Sequence, residues 1–387
     1  MKKINKNLFL FVFAALFILI AVTGPGSRKI LSRTRSFAAE LLNGTKGSVA
    51  SFTGDVSGYA SEVRHQGMLL DLNSVKEHLL GTRVTDKVET LVVRSDADTL
   101  LGYFQTEITE DDLNRFTEEV LAVQKSAEAS GAHFLYGAIP VDPLYAQRPA
   151  NVESFNQSNA EKKTAALRNA GVPLIDLGAA LQERGLPADE TFFFTDHHWR
   201  PQAGFRAAAA IAEALSQYGF PYEEELADIG NYEVKTYPNW FLGSYGKKVG
   251  TYFTWRGADD FDLITPRFAT DLSETDSAGG KERSGSFEDV LIYREYLDRD
   301  LYHKNTYVTY CGGDYRLQVI TNHMKPDGPK VLLIRDSYSC VLAPFLALQA
   351  GELHIVDDRE GDYPAGEKVD VLRYIGAEQF DYVLIVK

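Results

Sequence analysis

From Leu91 to Val386, short apolar runs alternate with amphipathic helical segments, and this alternation constrains the chain more than any other feature. The segments Glu89–Arg94, His133–Ile139, Val172–Leu177, Lys330–Ile334, Leu353–Asp357 and Tyr382–Val386 read as strands. Helices are predicted between them. One runs from Glu110 to Ser130, with Thr109 as N-cap, Leu113, Phe116, Val120 and Val123 on one face, and Gly131 closing it. Others cover Glu153–Ala170, Pro201–Tyr218 and Cys340–Ala350. Pro201 stands at a first helical position and Gly219 just past an end, which is the asymmetry expected of a helix. Strand–helix–strand repetition predicts an α/β domain over 89–387, with a mainly parallel sheet covered by helices on both faces. The rhythm breaks between about 221 and 321. That stretch is rich in Tyr, Gly and Asp, and reads as a β-rich insertion able to shape a groove.

The N-terminus is of another kind. Lys2, Lys3 and Lys6 precede an unbroken apolar run from Leu8 to Val22. Residues 1–26 therefore read as a membrane anchor or export signal. Pro25 hinders cutting after Gly24, so an uncleaved anchor is favoured and a secreted form is the alternative. The lysines stay inside, which puts the rest of the chain outside the cytoplasm after a single pass. Residues 27–88, broken by Gly44, Gly47, Gly54 and Gly58, read as a stalk with short helices. The formal net charge of -14 repels phosphate backbones and argues against nucleic acid. Cys311 and Cys340 are too few for a disulfide framework; they form one bridge or lie apart as small buried hydrophobes.

Two segments carry residues suited to chemistry. Thr195-Asp196-His197-His198-Trp199 sits between a short strand and the Pro201 helix. In extended backbone Asp196 and His198 share a face, and a carboxylate beside an imidazole fixes its tautomer and stabilises the imidazolium. The plain alternative is a helix-entry turn capped by Asp196 with two solvated histidines. In the second segment, Val331–Ser339, an apolar strand runs into a polar turn and then a helix. Ser337 falls on the turn, where helix N-terminal N–H groups can hold an oxyanion. Serine needs a base, and His198 is the candidate, with His197 behind it. Asp336, Ser337 and Ser339 are equally good N-caps. A metal-dependent phosphoesterase needs more clustered carboxylates and histidines than these segments offer, so no metal and no cofactor is expected.

LLIRDSYS resembles the Gly-Asp-Ser nucleophile block of SGNH hydrolases with the glycine replaced. TDHHW resembles their Asp-x-His block. The blocks come in the reverse order, a circularly permuted arrangement similar to the polysaccharide O-acetylation proteins of the AlgJ and AlgX type, and most like the bacterial proteins named for the DHHW motif. The resemblance spans Leu91–Lys387. It implies a flavodoxin-like SGNH fold with Ser337 as nucleophile, His198 as base and Asp196 as its orienting acid. Cys311-Gly312-Gly313-Asp314 resembles a Gly-Gly-Asn block in which Asp314 stands where an oxyanion donor is expected. The oxyanion then falls to backbone N–H groups such as those of Ser337 and Gly313, or to a nearby Arg or Tyr. Arg335 can bind a carboxylate or acetyl oxygen, or pair with Asp196 or Asp336. Trp199, Tyr245 and Tyr338 are further candidates to line the cleft. The implied function is an extracytoplasmic O-acetyltransferase or O-acetyl esterase acting on a cell-surface polysaccharide, supplied by a membrane acyltransferase of the MBOAT type. The alternative is a carbohydrate-binding or assembly module with a decayed site.

Overall fold

The computed structural model describes residues 29, 32–33, 36, 66–87, 90–276, 282–361 and 364–387. The apolar run Leu8–Val22 lies outside the described residues. Among the described residues no helix is long and apolar enough to cross a membrane.

Two compact units partition the chain. The smaller joins helix α1 (Gln66–Leu79) to residues 247–255. Within it the Thr251 N–H donates to Asp71 Oδ1 at 2.9 Å and the Tyr252 N–H to Ser74 Oγ at 3.1 Å. Gly250 is required there: its φ is +96°, and a Cβ would stand 2.5 Å from the Leu70 carbonyl oxygen.

The larger unit, 83–246 with 256–387, is built on an eight-stranded sheet. A separate antiparallel sheet comprises β1 (Val84–Lys87), β2 (Thr90–Arg94) and β3 (Leu100–Leu101). The central sheet has a parallel part in the order β5 (Leu174–Asp176), β4 (His133–Ala138), β13 (Tyr382–Val386), β11 (Lys330–Arg335) and β12 (Glu352–Asp357). Beyond β12 it continues antiparallel through β10 (Leu317–Asn322), β8 (Leu272–Asp276) and β9 (Arg283–Gly285). Strands from the 221–321 stretch thus extend the central sheet, while β6 (Tyr232–Phe241) and β7 (Asp259–Pro266) pair as a separate ribbon.

Side-chain alternation along β11 divides two cores. Val331 and Leu333 face the cluster of α4 (Leu177–Glu183), α5 (Pro201–Ser216) and α6 (Ala343–Gln349). Leu332 and Ile334 face that of α2 (Glu110–Ala129), α3 (Asn156–Asn169) and α7 (Val371–Glu378). The helix expected at Cys340–Ala350 begins only at Ala343 and is preceded by a 3-10 turn, Ser337–Val341. Pro344 explains the shift, because a residue without an N–H is accommodated only in the first helical turn. The chain steps from β4 outward to β5, and from β11 outward the other way to β12. The carboxyl ends of β4, β13 and β11 therefore border the crevice where such sheets bind ligands.

Candidate active site

Ser337 opens the 3-10 turn that follows β11, with Asp336 capping it by accepting the Tyr338 N–H at 3.0 Å. Residues 195–199 form an irregular turn ahead of α5. The structure brings the two segments into contact. His198 Nε2 lies 2.8 Å from Ser337 Oγ, and His198 Nδ1 lies 2.5 Å from Asp196 Oδ1. The protonated Nδ1 donates to the carboxylate, which leaves Nε2 to accept the Ser337 hydroxyl proton. Burial works to raise the Asp196 carboxyl; His197, His198 and the Ser244 N–H more than offset this and hold it below the ordinary carboxylate range. Tyr307, fully buried, stacks on the His198 ring with centroids 4.1 Å apart and fixes its plane.

Two contacts join the two turns, and a third from Tyr307 braces them. The Trp199 indole N–H donates to the Tyr338 carbonyl at 2.8 Å, the Tyr307 hydroxyl donates to the same oxygen at 2.9 Å, and the Tyr338 hydroxyl donates to the His197 carbonyl at 2.7 Å. Trp199 is fully buried, so it packs the site and does not face the cleft. His197 points away from Ser337, with Nδ1 3.2 Å from Ser244 Oγ.

Residues that sequence reasoning passed over do much of the positioning. Asp259, at the start of β7, accepts the Phe194 and Thr195 N–H groups, both at 2.9 Å, and the Thr195 hydroxyl at 2.6 Å. Arg200 pairs with it at 3.2 Å. Segment 242–246 closes over the turn from the other side. The Gly243 N–H donates to Thr195 Oγ1 at 2.9 Å, the Gly246 N–H to the Thr195 carbonyl at 3.0 Å, and the Ser244 N–H to Asp196 Oδ2. A Cβ on Gly243 would lie 2.2 Å from that of Asp196, so only glycine permits this approach. The Leu-Gly-Ser-Tyr-Gly run was the one available signal; nothing marked Asp259 or Tyr307.

Arg335 and Asp314 are not substrate ligands. Arg335 is 1% exposed and its guanidinium pairs with Asp314, donates to the Gly313 carbonyl at 3.0 Å, and lies 3.7 Å from Asp357. Arg359 also binds Asp314 at 2.7 Å. Burial works to raise the Asp314 carboxyl, but the two guanidiniums prevail and hold it at about 2. The replaced glycine and the replaced asparagine are therefore partners in one buried ion pair beneath the Ser337 turn. Cys340 lies against this pair, with Sγ 3.4 Å from Asp314 Oδ1; Cys311 and Cys340 are both free, buried thiols. Among the described residues the N–H groups of Ser337 and Gly313 donate to no protein acceptor. Tyr245 is buried and, with Tyr338, lines a cavity beside Asp196.

Asp196, His197 and His198 also form a group of possible metal ligands. The short Asp196–His198 hydrogen bond and the Ser337 contact engage both imidazole nitrogens of His198, which fits proton transfer better than ligation.

Residues 103–238 match the family described as "SGNH hydrolase-like domain, acetyltransferase AlgX". The match includes Asp196 and His198 and ends before Ser337. No curated protein sequence matches the chain. Among solved structures, Bacillus cereus PatB1 with a sulfonyl adduct is 18% identical with a TM-score of 0.62, covering 77% of this chain and 94% of that one. A DHHW family protein from Eubacterium siraeum is 18% identical with a TM-score of 0.54, over 79% of this chain and 93% of that one. The O-acetyltransferase domain of Pseudomonas putida AlgJ is 17% identical with a TM-score of 0.44, over 76% and 89%. At these identities the likeness concerns the fold: the α/β region of this chain is an SGNH-hydrolase-like domain.

Proposed function

We propose that the chain is an extracytoplasmic serine acyl-group enzyme, an O-acetyltransferase or O-acetyl esterase acting on a cell-surface polysaccharide. The observation that carries this reading is the 2.8 Å approach of His198 Nε2 to Ser337 Oγ, with Asp196 behind the imidazole. Ser337 Oγ attacks the acyl carbon while its proton passes to His198 Nε2. The imidazolium then protonates the leaving group, and an acyl-serine remains. In the second half, a sugar hydroxyl or water gives its proton to Nε2, attacks the acyl carbon and restores Ser337. The Ser337 and Gly313 N–H groups are the donors for the tetrahedral oxyanion. The buried Arg335–Asp314 pair accounts for both departures from the motif, so neither favours a decayed module.

The basic flank and apolar run at the N-terminus support a membrane-anchored catalytic domain outside the cytoplasm. Acetyl-CoA is not available there, and the resemblance to the O-acetylation proteins supports a membrane acyltransferase of the MBOAT type as the acetyl source. The test uses the full-length chain in detergent with 4-nitrophenyl acetate. Wild type is expected to turn over the ester and to be acylated on Ser337 by mass spectrometry. Equal rates for wild type and Ser337→Ala would end the enzyme reading. Adding oligosaccharide and weighing the products separates transfer from hydrolysis.

A further inference from the structure

A cavity of about 310 Å³ opens at the carboxyl ends of β4, β13 and β11, at the lower end of the roughly 300–1,000 Å³ common for small-molecule sites. Asp196 and His197 are part of its wall, as are Asp336 and Tyr338, the chain neighbours of Ser337, so a bound molecule lies beside the Ser337 turn. Two other wall residues are buried polar groups whose hydrogen-bonding capacity the described residues leave partly unused. Asp142 is 9% exposed; its Oδ1 accepts the Leu144 N–H at 2.9 Å, while among the described residues Oδ2 has neither a donor nor a cation. Burial pushes this carboxyl up to about 6, against the pull of the Leu144 N–H. Tyr245 is 1% exposed; its hydroxyl faces that of Tyr145, which donates to the Gly102 carbonyl, and among the described residues it makes no well-formed hydrogen bond. Leaving such groups unbonded is costly, and a ligand that bonds them recovers that cost.

The rest of the wall defines shape and charge. Tyr103 holds a left-handed φ of 52°, a conformation that a bulky residue adopts only when its surroundings impose it. Its half-exposed ring stands edge-on to His197 at 5.1 Å and 5.5 Å from the Tyr245 ring, so an aromatic face borders the cavity. Asp142 and Asp336 add negative charge beside Asp196. Lys387, the ammonium on this wall, is already paired with Asp358 at 2.5 Å.

Building on the acyl-transfer reading, we propose that this cavity is the acceptor subsite and that it takes a sugar ring bearing no acidic group, recognised by Asp142 and Tyr245. Asp142 Oδ2 accepts from a hydroxyl or ammonium of a neutral or amino-bearing hexose. The Tyr245 hydroxyl donates to a ring substituent, and Tyr103 covers an apolar face of the sugar. A hydroxyl of the seated ring gives its proton to His198 Nε2 as its oxygen bonds to the acyl carbon, and the imidazolium returns that proton to Ser337 Oγ as the acyl–serine bond breaks. A uronate carboxylate or a phosphate would instead stand beside the Asp142 and Asp336 carboxyls, with no unpaired cation among the described wall residues.

The test measures binding of three hexasaccharides to the full-length Ser337→Ala chain in detergent by calorimetry: cellohexaose, the glucosamine hexamer and the galacturonic acid hexamer. A non-acidic hexamer is expected to bind at least about tenfold more tightly than the galacturonic acid hexamer. Asp142→Asn retains the oxygen that caps Leu144, and is expected to weaken the non-acidic ligand about tenfold, the size of one charge-assisted hydrogen bond. Tyr245→Phe is expected to weaken it less. Equal or tighter binding of the galacturonic acid hexamer, no binding of any hexamer, or unchanged affinities in Asp142→Asn would overturn the proposal. Ester turnover by the same preparation with Ser337 intact distinguishes the failures: turnover without selective binding removes the subsite alone, and selective binding without Ser337-dependent turnover removes the acyl chemistry alone.

Discussion

A histidine held between a carboxylate and a hydroxyl has one nitrogen committed and one available, and His198 is in that position. Ser337→Ala and His198→Ala are each expected to lower kcat by about 10³-fold or more. His197→Ala is expected to lower it less than about tenfold, because its ring faces Ser244 and the Asp196 carboxylate and does not reach Ser337. Stopped-flow ester hydrolysis on the three variants checks both; a His197→Ala loss equal to that of His198→Ala would reassign the base. Gly243 supplies a further residue-level expectation. A methyl group there collides with Asp196, so Gly243→Ala is expected to fold yet lose activity nearly as Ser337→Ala does, with circular dichroism confirming the fold. Wild-type activity in that variant would show that the turn yields easily.

Between residues and whole fold lie two irregular turns. The first, 195–199, has almost no regular backbone pairing of its own and is held by Asp259. Asp259→Asn keeps one acceptor oxygen but presents an amide where Thr195 now donates, and leaves Arg200 without its charge partner. A loss of about 1–3 kcal/mol in urea unfolding is expected, with a fall in kcat larger than any change in KM. The second turn, after β11, rests on Arg335 and Asp314. Removing either partner strands a buried charge, at a cost of about 3–5 kcal/mol, tempered for Asp314→Asn by Asp357 beside Arg335 and for Arg335→Gly by Arg359 beside Asp314. The double variant Arg335→Gly with Asp314→Asn is expected to be less destabilised than the sum of its singles, as for any directly paired groups. Additive losses in a double-mutant cycle would show that the two do not act together.

Across the molecule, buried carboxyls set how stability responds to pH. Burial raises Asp142 and Asp259 to about 6 and Glu274 to about 7. A carboxyl raised on folding is favoured in its protonated form. Its contribution is complete below its unfolded pKa and is lost as pH rises through the folded value. Asp314 has the opposite sign: its contribution is present above its unfolded pKa and is lost as pH falls through about 2. For Glu274, whose ordinary value is 4.5, the loss amounts to roughly 3 kcal/mol by pH 8. Glu274→Gln removes that titration. The stability of the variant relative to wild type is therefore expected to improve by roughly this amount between pH 4 and pH 8, read from paired urea curves. A constant difference across that range would mean that Glu274 does not titrate as its burial implies.

The alternation of strand and helix, the glycine and proline stops and the two polar turns were legible because they depend on neighbours in sequence, where periodicity and capping act. Ser337, His198 and Asp196 stood out for the same reason: each lies at the end of a regular element, within a short motif. Where Arg335 points was not legible, since the sequence left substrate or carboxylate as its partner; tertiary packing buried it against Asp314, 21 positions away. Asp259 and Tyr307 carried no local mark at all, because their roles exist only once a distant ribbon and loop close on the DHHW turn. The cavity belongs to the same class. Asp142, Tyr245 and Tyr338 come from three separate segments, and only the strand order of the sheet brings their ends to one crevice. Local chemistry can be read along a chain, whereas an environment made by long-range closure exists only in the folded molecule.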